Sequence, residues 1–279
     1  MTRSARLVLV GTPIGNLGDA SPRTAEALGD ADVVCCEDTR RSGRLLAHLG
    51  IRAPELLRLD DHTEVEQIDR LVERIRGGAV VAVVSDAGMP GLSDPGARLA
   101  AQVAAQDLLV EVVPGPFAGA VAVTGSGLLD PSGRFCFEGF LPRKGAARTQ
   151  RLSELVGERR TVVLYEAPHR LARTLADLAA TLGADRRVAL CRELTKLHEE
   201  YWRGTLAEAV AHCDSVAPRG EFVVVLDGAP EPVPLGDDEL RAELAVELAA
   251  GATRRDAAST VATRHGLAPN RLKRLLVEG

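Results

Sequence analysis

The stretch Arg6–Asp19, R-L-V-L-V-G-T-P-I-G-N-L-G-D, decides how the chain is read. A short Val/Leu run enters a glycine- and proline-bearing turn. A helical stretch then opens on Ser21, suited to the N-cap, and Pro22, suited to the first helical position. The same order recurs along the first 113 residues. Apolar runs stand at Val33–Cys36, Leu56–Leu59, Val80–Ser85 and Leu108–Val113, and helical patterns at Pro22–Leu28, Ser42–Leu49, Glu64–Arg76 and Pro95–Ala105. Strands covered on both faces have no solvated side, so near-continuous apolar runs separated by helices predict a largely parallel sheet. Ligands of such sheets meet the carboxyl ends of the strands, which directs attention to the loops.

Those loops are rich in glycine and proline. E-D-T-R (Glu37–Arg40) follows the second run, D-A-G-M-P-G-L-S-D-P-G (Asp86–Gly96) the fourth, and P-G-P-F-A-G-A (Pro114–Ala120) the fifth. Stiff loops of this kind let backbone approach a ligand closely and present N–H and C=O groups to it. A second α/β unit follows, with strand-like runs Phe135–Leu141, Thr161–Tyr165, Arg187–Leu190 and Glu221–Leu226, and helices near Ala146–Val156, Arg170–Leu182 and Leu206–Cys213. Cys191–Gly204 reads as loop with a further strand. The expected organisation is an N-terminal α/β domain (1–115), a C-terminal α/β domain (116–228), a proline-rich linker (229–236) and a small basic helical unit (237–279). The last would hold helices at Asp238–Ala250, Arg254–His265 and Pro269–Val277 in a helix-turn-helix-like arrangement. Its residues 254–274 carry Arg254, Arg255, Arg264, Arg271, Lys273 and Arg274 against Asp256, which suits either a solvated face or nucleic-acid docking.

Composition narrows the classes. The chain has 279 residues, 46% hydrophobic and 26% charged, with a net charge of -5, which excludes indiscriminate coating of nucleic acid but not a local basic patch. No run approaches the roughly 18–20 apolar residues of a membrane span, and the N-terminal apolar run is too short for a signal peptide, so a cytoplasmic address is expected. The five cysteines form no C-x-x-C pair, so no metal is expected and the thiols read as buried small hydrophobes.

Taken in series, T-P-I-G-N (Thr12–Asn16), E-D-T-R, S-D-A-G-M-P (Ser85–Pro90), S-D-P-G (Ser93–Gly96), P-G-P (Pro114–Pro116), F-E-G-F-L-P-R-K (Phe137–Lys144), Y-E-A-P-H-R (Tyr165–Arg170), R-E-L-T-K (Arg192–Lys196) and R-G-T-L (Arg203–Leu206) carry a resemblance. The chain resembles the tetrapyrrole-methylase superfamily and, within it, the ribosomal RNA small-subunit methyltransferase I branch. Met89 and Gly91 stand where a threonine and a larger aliphatic are common in that family. The resemblance implies a two-domain α/β fold, usually a homodimer, with S-adenosylmethionine (AdoMet) between the domains. It also implies 2′-O-methylation of a cytidine ribose in 16S ribosomal RNA of the small subunit.

Carried position by position, the resemblance puts Pro13, Asp86, Gly88, Met89, Leu92, Gly115, Phe117 and Ala118 on the cofactor from one side. Tyr165, Glu166, Ala167, Glu193, Gly220 and Glu221 stand opposite. Asp38 and Glu166, each between a strand and a helix, are candidate general bases; the alternative is that they pair with Arg40 and Arg170 and hold loops. His62 and His169 are further candidates. Arg143, Lys144, Arg148 and Arg151, four cations within Leu141–Arg151, are expected to grip phosphates, with Arg40, Arg192 and Lys196 alongside. Two other functions stay open: a small-molecule methylase of the precorrin or siroheme type, and a non-catalytic RNA-binding assembly factor.

Overall fold

The computed structural model describes residues 4–52, 55–60, 63–231 and 235–277, which form two compact units, Met1–Ala229 and Pro230–Gly279. In the larger unit, β1 (Arg6–Val10), β2 (Val33–Cys36), β3 (Leu56–Arg58), β4 (Val80–Val83) and β5 (Val110–Val113) form an all-parallel sheet of order β3-β2-β4-β1-β5. Helices α1 (Pro22–Asp30), α2 (Thr39–His48), α3 (Thr63–Arg76) and α4 (Ala97–Ala104) cover it. Alternate residues of the same strands feed two separate cores, Leu7, Cys35 and Val81 on one face and Val8, Cys36 and Ala82 on the other, so every position of β2 and β4 is buried. The runs of these two strands are thus apolar throughout because neither face meets water.

The second sheet is mixed, in order β6-β7-β10-β8-β9, from β6 (Phe135–Phe140), β7 (Thr161–Glu166), β8 (Arg187–Arg192), β9 (Glu200–Thr205) and β10 (Phe222–Leu226). Its β6–β7 pair is parallel and the other three pairs are antiparallel. Helices α6 (Ala146–Glu154), α7 (Pro168–Leu182) and α8 (Leu206–Ser215) accompany a core built on Leu164, Leu171, Leu190 and Leu206. The opposite face packs on α5 (Ala118–Ser126), a helix that no pattern in the sequence announces. Its segment A-G-A-V-A-V-T-G-S is apolar nearly all round, as a buried helix must be, so it shows no amphipathic period. A chain reversal at Gly127, in the left-handed region at φ 73°, ends it.

In the smaller unit α9 (Asp237–Ala249), α10 (Arg254–His265) and α11 (Pro269–Leu275) enclose a core of Leu240, Leu244, Val261 and Leu272. Its basic face is partly neutralised within the unit: Arg264 pairs with Glu243 and Glu247, and Arg271 with Asp237 at 2.8 Å. Of the proposed linker, residues 232–234 lie outside the described residues. Among the described residues no helix is long and apolar enough to cross a membrane, and no His/Cys/Asp/Glu cluster is placed to hold a metal ion. Burial pushes the Cys35 and Cys191 thiols up to about 12, which keeps them inert.

Candidate functional site

The loops at the carboxyl ends of the first sheet knit together through backbone. The Thr12 N–H donates to the Gly88 carbonyl at 2.8 Å and the Gly88 N–H returns to Thr12 at 3.1 Å, with Gly88 at φ 93°. Gly11 and Gly115 meet so closely that a Cβ on Gly115 would lie 2.7 Å from the Gly11 carbonyl carbon. Met89 Sδ accepts the Gly115 N–H at 3.3 Å. The T-P-I-G-N loop also reaches the second half, since a Cβ on Gly15 would lie 2.5 Å from Lys196 Cγ.

Between these loops and the segment after β7 lies a cavity of about 290 Å³. Ile14, Ala87, Ala118, Phe140, Tyr165 and Leu194 give it apolar walls, and Glu166, Ala167, Pro168 and Glu221 also line it. Phe137 and Phe140 hold the Tyr165 ring edge-on, with centroids 4.9 and 5.6 Å away, and burial raises its hydroxyl to about 12. Two buried hydroxyls find no partner among the described residues: Ser85 Oγ, just before the Asp86–Gly88 loop, and Thr195 Oγ1, next to Leu194. Apolar and aromatic walls and close-approaching backbone, with these unpartnered hydroxyls one or two residues from the lining residues Ala87 and Leu194, suit a nucleoside-type ligand such as AdoMet. A larger cavity of about 500 Å³ opens around Trp202 and His212, but none of the first sheet's loops contributes to it.

The family pattern of Tetrapyrrole (Corrin/Porphyrin) Methylases matches residues 6–210. A protein of Synechocystis sp. named ribosomal RNA small subunit methyltransferase I is 44% identical over 98% of this chain and 97% of its own length. A Mycobacterium tuberculosis protein of the same name is 47% identical over 94% and 90%. The chain belongs to the ribosomal RNA small subunit methyltransferase I family of the tetrapyrrole methylases. Among solved structures, the methyltransferase CobJ superposes with a TM-score of 0.61 over 84% of this chain and 97% of its own, at 20% identity, a likeness of fold. A Thermus thermophilus uroporphyrin-III C-methyltransferase complexed with S-adenosyl homocysteine gives 0.57 over 80% and 97%, at 18%.

In this methyltransferase I family member the expected cofactor residues divide in two. Ala118, Tyr165, Glu166, Ala167 and Glu221 line the cavity. Pro13, Asp86, Gly88, Met89, Leu92, Gly115, Phe117, Glu193 and Gly220 are not among its lining residues; most stand directly beside one in sequence. Glu193 receives the Lys196 ammonium at 2.9 Å and the Glu221 N–H at 2.8 Å. Burial alone would raise the Glu193 carboxyl, but these donors bring it below its ordinary value. Ile14, Phe140, Pro168 and Leu194 line the cavity and were not singled out from sequence, although all four fall inside quoted motifs; apolar residues there carry no chemical signature to select them.

Both candidate bases are already engaged. Asp38 caps α2 through the Arg40 N–H at 2.8 Å and pairs with the Arg40 guanidinium at 3.0 Å. The Arg40 hydrogen bonds hold its carboxyl down at about 2, and it does not line the cavity. Glu166 is 2% exposed and meets Arg170 Nε at 3.1 Å, the Ala167 N–H at 2.9 Å and the Thr174 hydroxyl at 2.6 Å. This arrangement favours loop-holding for both carboxylates. His62 lies outside the described residues. Because the folded-state value of Asp38 is depressed, its contribution to stability is present above pH 4 and lost as pH falls through about 2. In Asp38→Asn, which keeps a capping side chain, acid unfolding followed by circular dichroism should show a shallower loss between about pH 4 and 2.

The basic residues also divide. Arg148 is 5% exposed, with Nε on Asp177 at 2.9 Å and its terminal nitrogens on the Pro142 carbonyl and Thr174 hydroxyl at 3.0 Å each. It clamps α6 to α7 and is not the free cation its sequence position suggests. Arg40, Arg151, Arg192 and Lys196 are each paired with carboxylates, whereas Arg143 and Lys144 are exposed without an ion-pair partner among the described residues.

Proposed function

We propose that the protein methylates the ribose 2′-hydroxyl of a cytidine in 16S ribosomal RNA, with AdoMet as donor, on the small ribosomal subunit in the cytoplasm and as a homodimer. The observation that carries this reading is the apolar cavity between the Gly/Pro loops and the Tyr165–Pro168 segment, with exposed Arg143 and Lys144 nearby on the loop after β6. The names of the relatives from Synechocystis and Mycobacterium support the RNA substrate. The ligand of the Thermus neighbour supports the cofactor class.

AdoMet, when bound, supplies a methyl group already activated by its sulfonium charge. What this chain adds is alignment. Holding acceptor and methyl carbon in line at about 3–3.5 Å supplies roughly 7–11 kcal/mol of the barrier. The knitted Gly11, Thr12, Gly88 and Gly115 backbone resists the small displacements that would spoil that geometry. Tyr165 and Phe140 give the cavity an aromatic wall, and Glu166 fixes the Ala167–Arg170 turn. Nucleoside analysis by mass spectrometry of 16S RNA incubated with enzyme and AdoMet should show new 2′-O-methylcytidine. A methylated base, or another ribose-methylated nucleoside, would overturn the assignment.

A further inference from the structure

The start of α7 borders two cavities. Pro168 lines the apolar one, while His169 and Arg170 line a separate cavity of about 280 Å³ completed by Arg143, Arg148, Arg173 and Thr174. No carboxylate lines it. Its deeper cations are held from behind. Arg148 is fixed by Asp177, and Arg170 by Glu166 and by the Leu141 carbonyl at 2.7 Å. The outer ones are not. Arg143 and His169 have no partner among the described residues, and the exposed Arg173 approaches Asp177 only to 3.9 Å.

We propose that this cavity seats a backbone phosphate of the RNA strand whose ribose enters the neighbouring cavity. The proposal rests on the RNA reading above and adds His169, Arg170 and Arg173 to it. Guanidinium groups present planar forks that match phosphate oxygens, and several converging on one pocket repel one another until an anion joins them. Adjacent residues place the two sites close: Pro168 and His169 are about 3.8 Å apart at Cα. The bound phosphate then lies on the same strand as the acceptor ribose, close to it. It would set register on the strand without reading sequence.

Arg143→Gln/Arg173→Gln, with Arg143→Lys/Arg173→Lys as its charge-conserving partner, tests this in the full-length protein. Filter binding of small ribosomal subunits between about 50 and 200 mM salt reads phosphate neutralisation directly. The Gln pair should weaken subunit binding and raise the subunit KM by about 10–100-fold. It should also flatten the salt slope by about 0.7–0.9 for each phosphate left without its guanidinium. The Lys pair should recover most of the affinity, with the AdoMet Kd unchanged throughout. Unchanged subunit affinity and slope would overturn the proposal. So would a rise in AdoMet Kd, which would assign the pocket to the cofactor's carboxylate. If the wild type binds subunits but transfers no methyl group, the RNA-methylation reading fails, and filter binding still decides the phosphate seat.

Discussion

Gly115→Val should raise the AdoMet Kd by at least about 100-fold, close to 3 kcal/mol, measured by isothermal titration calorimetry. The cause is local. A Cβ at residue 115 would lie 2.7 Å from the carbonyl carbon and 2.8 Å from the Cα of Gly11. Both neighbours are backbone, so no rotamer relieves the overlap. The β1 and β5 loops must separate, and the Gly115 N–H must leave Met89 Sδ. Overpacking of a tight interface costs about 1–3 kcal/mol in stability. The loss of cofactor affinity is larger because the same displacement moves the cavity's floor. Gly50→Val is the control, since a Cβ there meets nothing within 4 Å, although its φ of 69° brings some strain. It should lose a little stability and keep its AdoMet affinity.

Arg170→Met should cost about 3–5 kcal/mol, because it strips the guanidinium from a carboxylate that is buried. For a unit of this size that corresponds to a drop in Tm of roughly 6–20 °C by calorimetry. Glu166 keeps the Ala167 N–H and the Thr174 hydroxyl but has no remaining countercharge at hydrogen-bond distance among the described residues. Glu166→Gln/Arg170→Met removes both charges and should recover part of the loss, the signature of a coupled pair. Glu166→Gln alone separates the two roles of this carboxylate. Its single-turnover rate should stay within about tenfold of wild type, whereas removal of a general base costs about 10²–10⁴-fold. A fall of that larger size would return Glu166 to the base role.

The first sheet was legible because its inner strands β2 and β4 are buried on both faces and its first helix opens on a recognisable residue. Ser21 caps α1 by accepting the Thr24 N–H, and Pro22 takes the first helical position, where its missing N–H costs nothing. Helix α5 was not legible, since a segment apolar on nearly every side carries no polar stripe. Strand β9 was ambiguous because it is an edge: Glu200 and Arg203 face solvent, and its pairing with β8 is visible only in three dimensions. At the site, motif order located the loops but not the partners of the charges within them. Arg148 reads as a free cation until Asp177 and Thr174, from another helix, close on it. The Arg40–Asp38 and Arg170–Glu166 pairs are short-range and were visible as an alternative. Their geometry shows the carboxylates already occupied.

The central claim is methyl transfer to the small subunit. Tritium transfer from labelled AdoMet to small ribosomal subunits from a strain lacking the gene, followed by nuclease mapping, tests it most directly. The expected result is label in a nuclease-resistant dinucleotide of 16S RNA, since a methylated 2′-hydroxyl cannot assist cleavage of its own phosphodiester. Unlabelled subunits and unlabelled naked 16S RNA, from protein that binds AdoMet measurably, would contradict the account and favour a small-molecule acceptor.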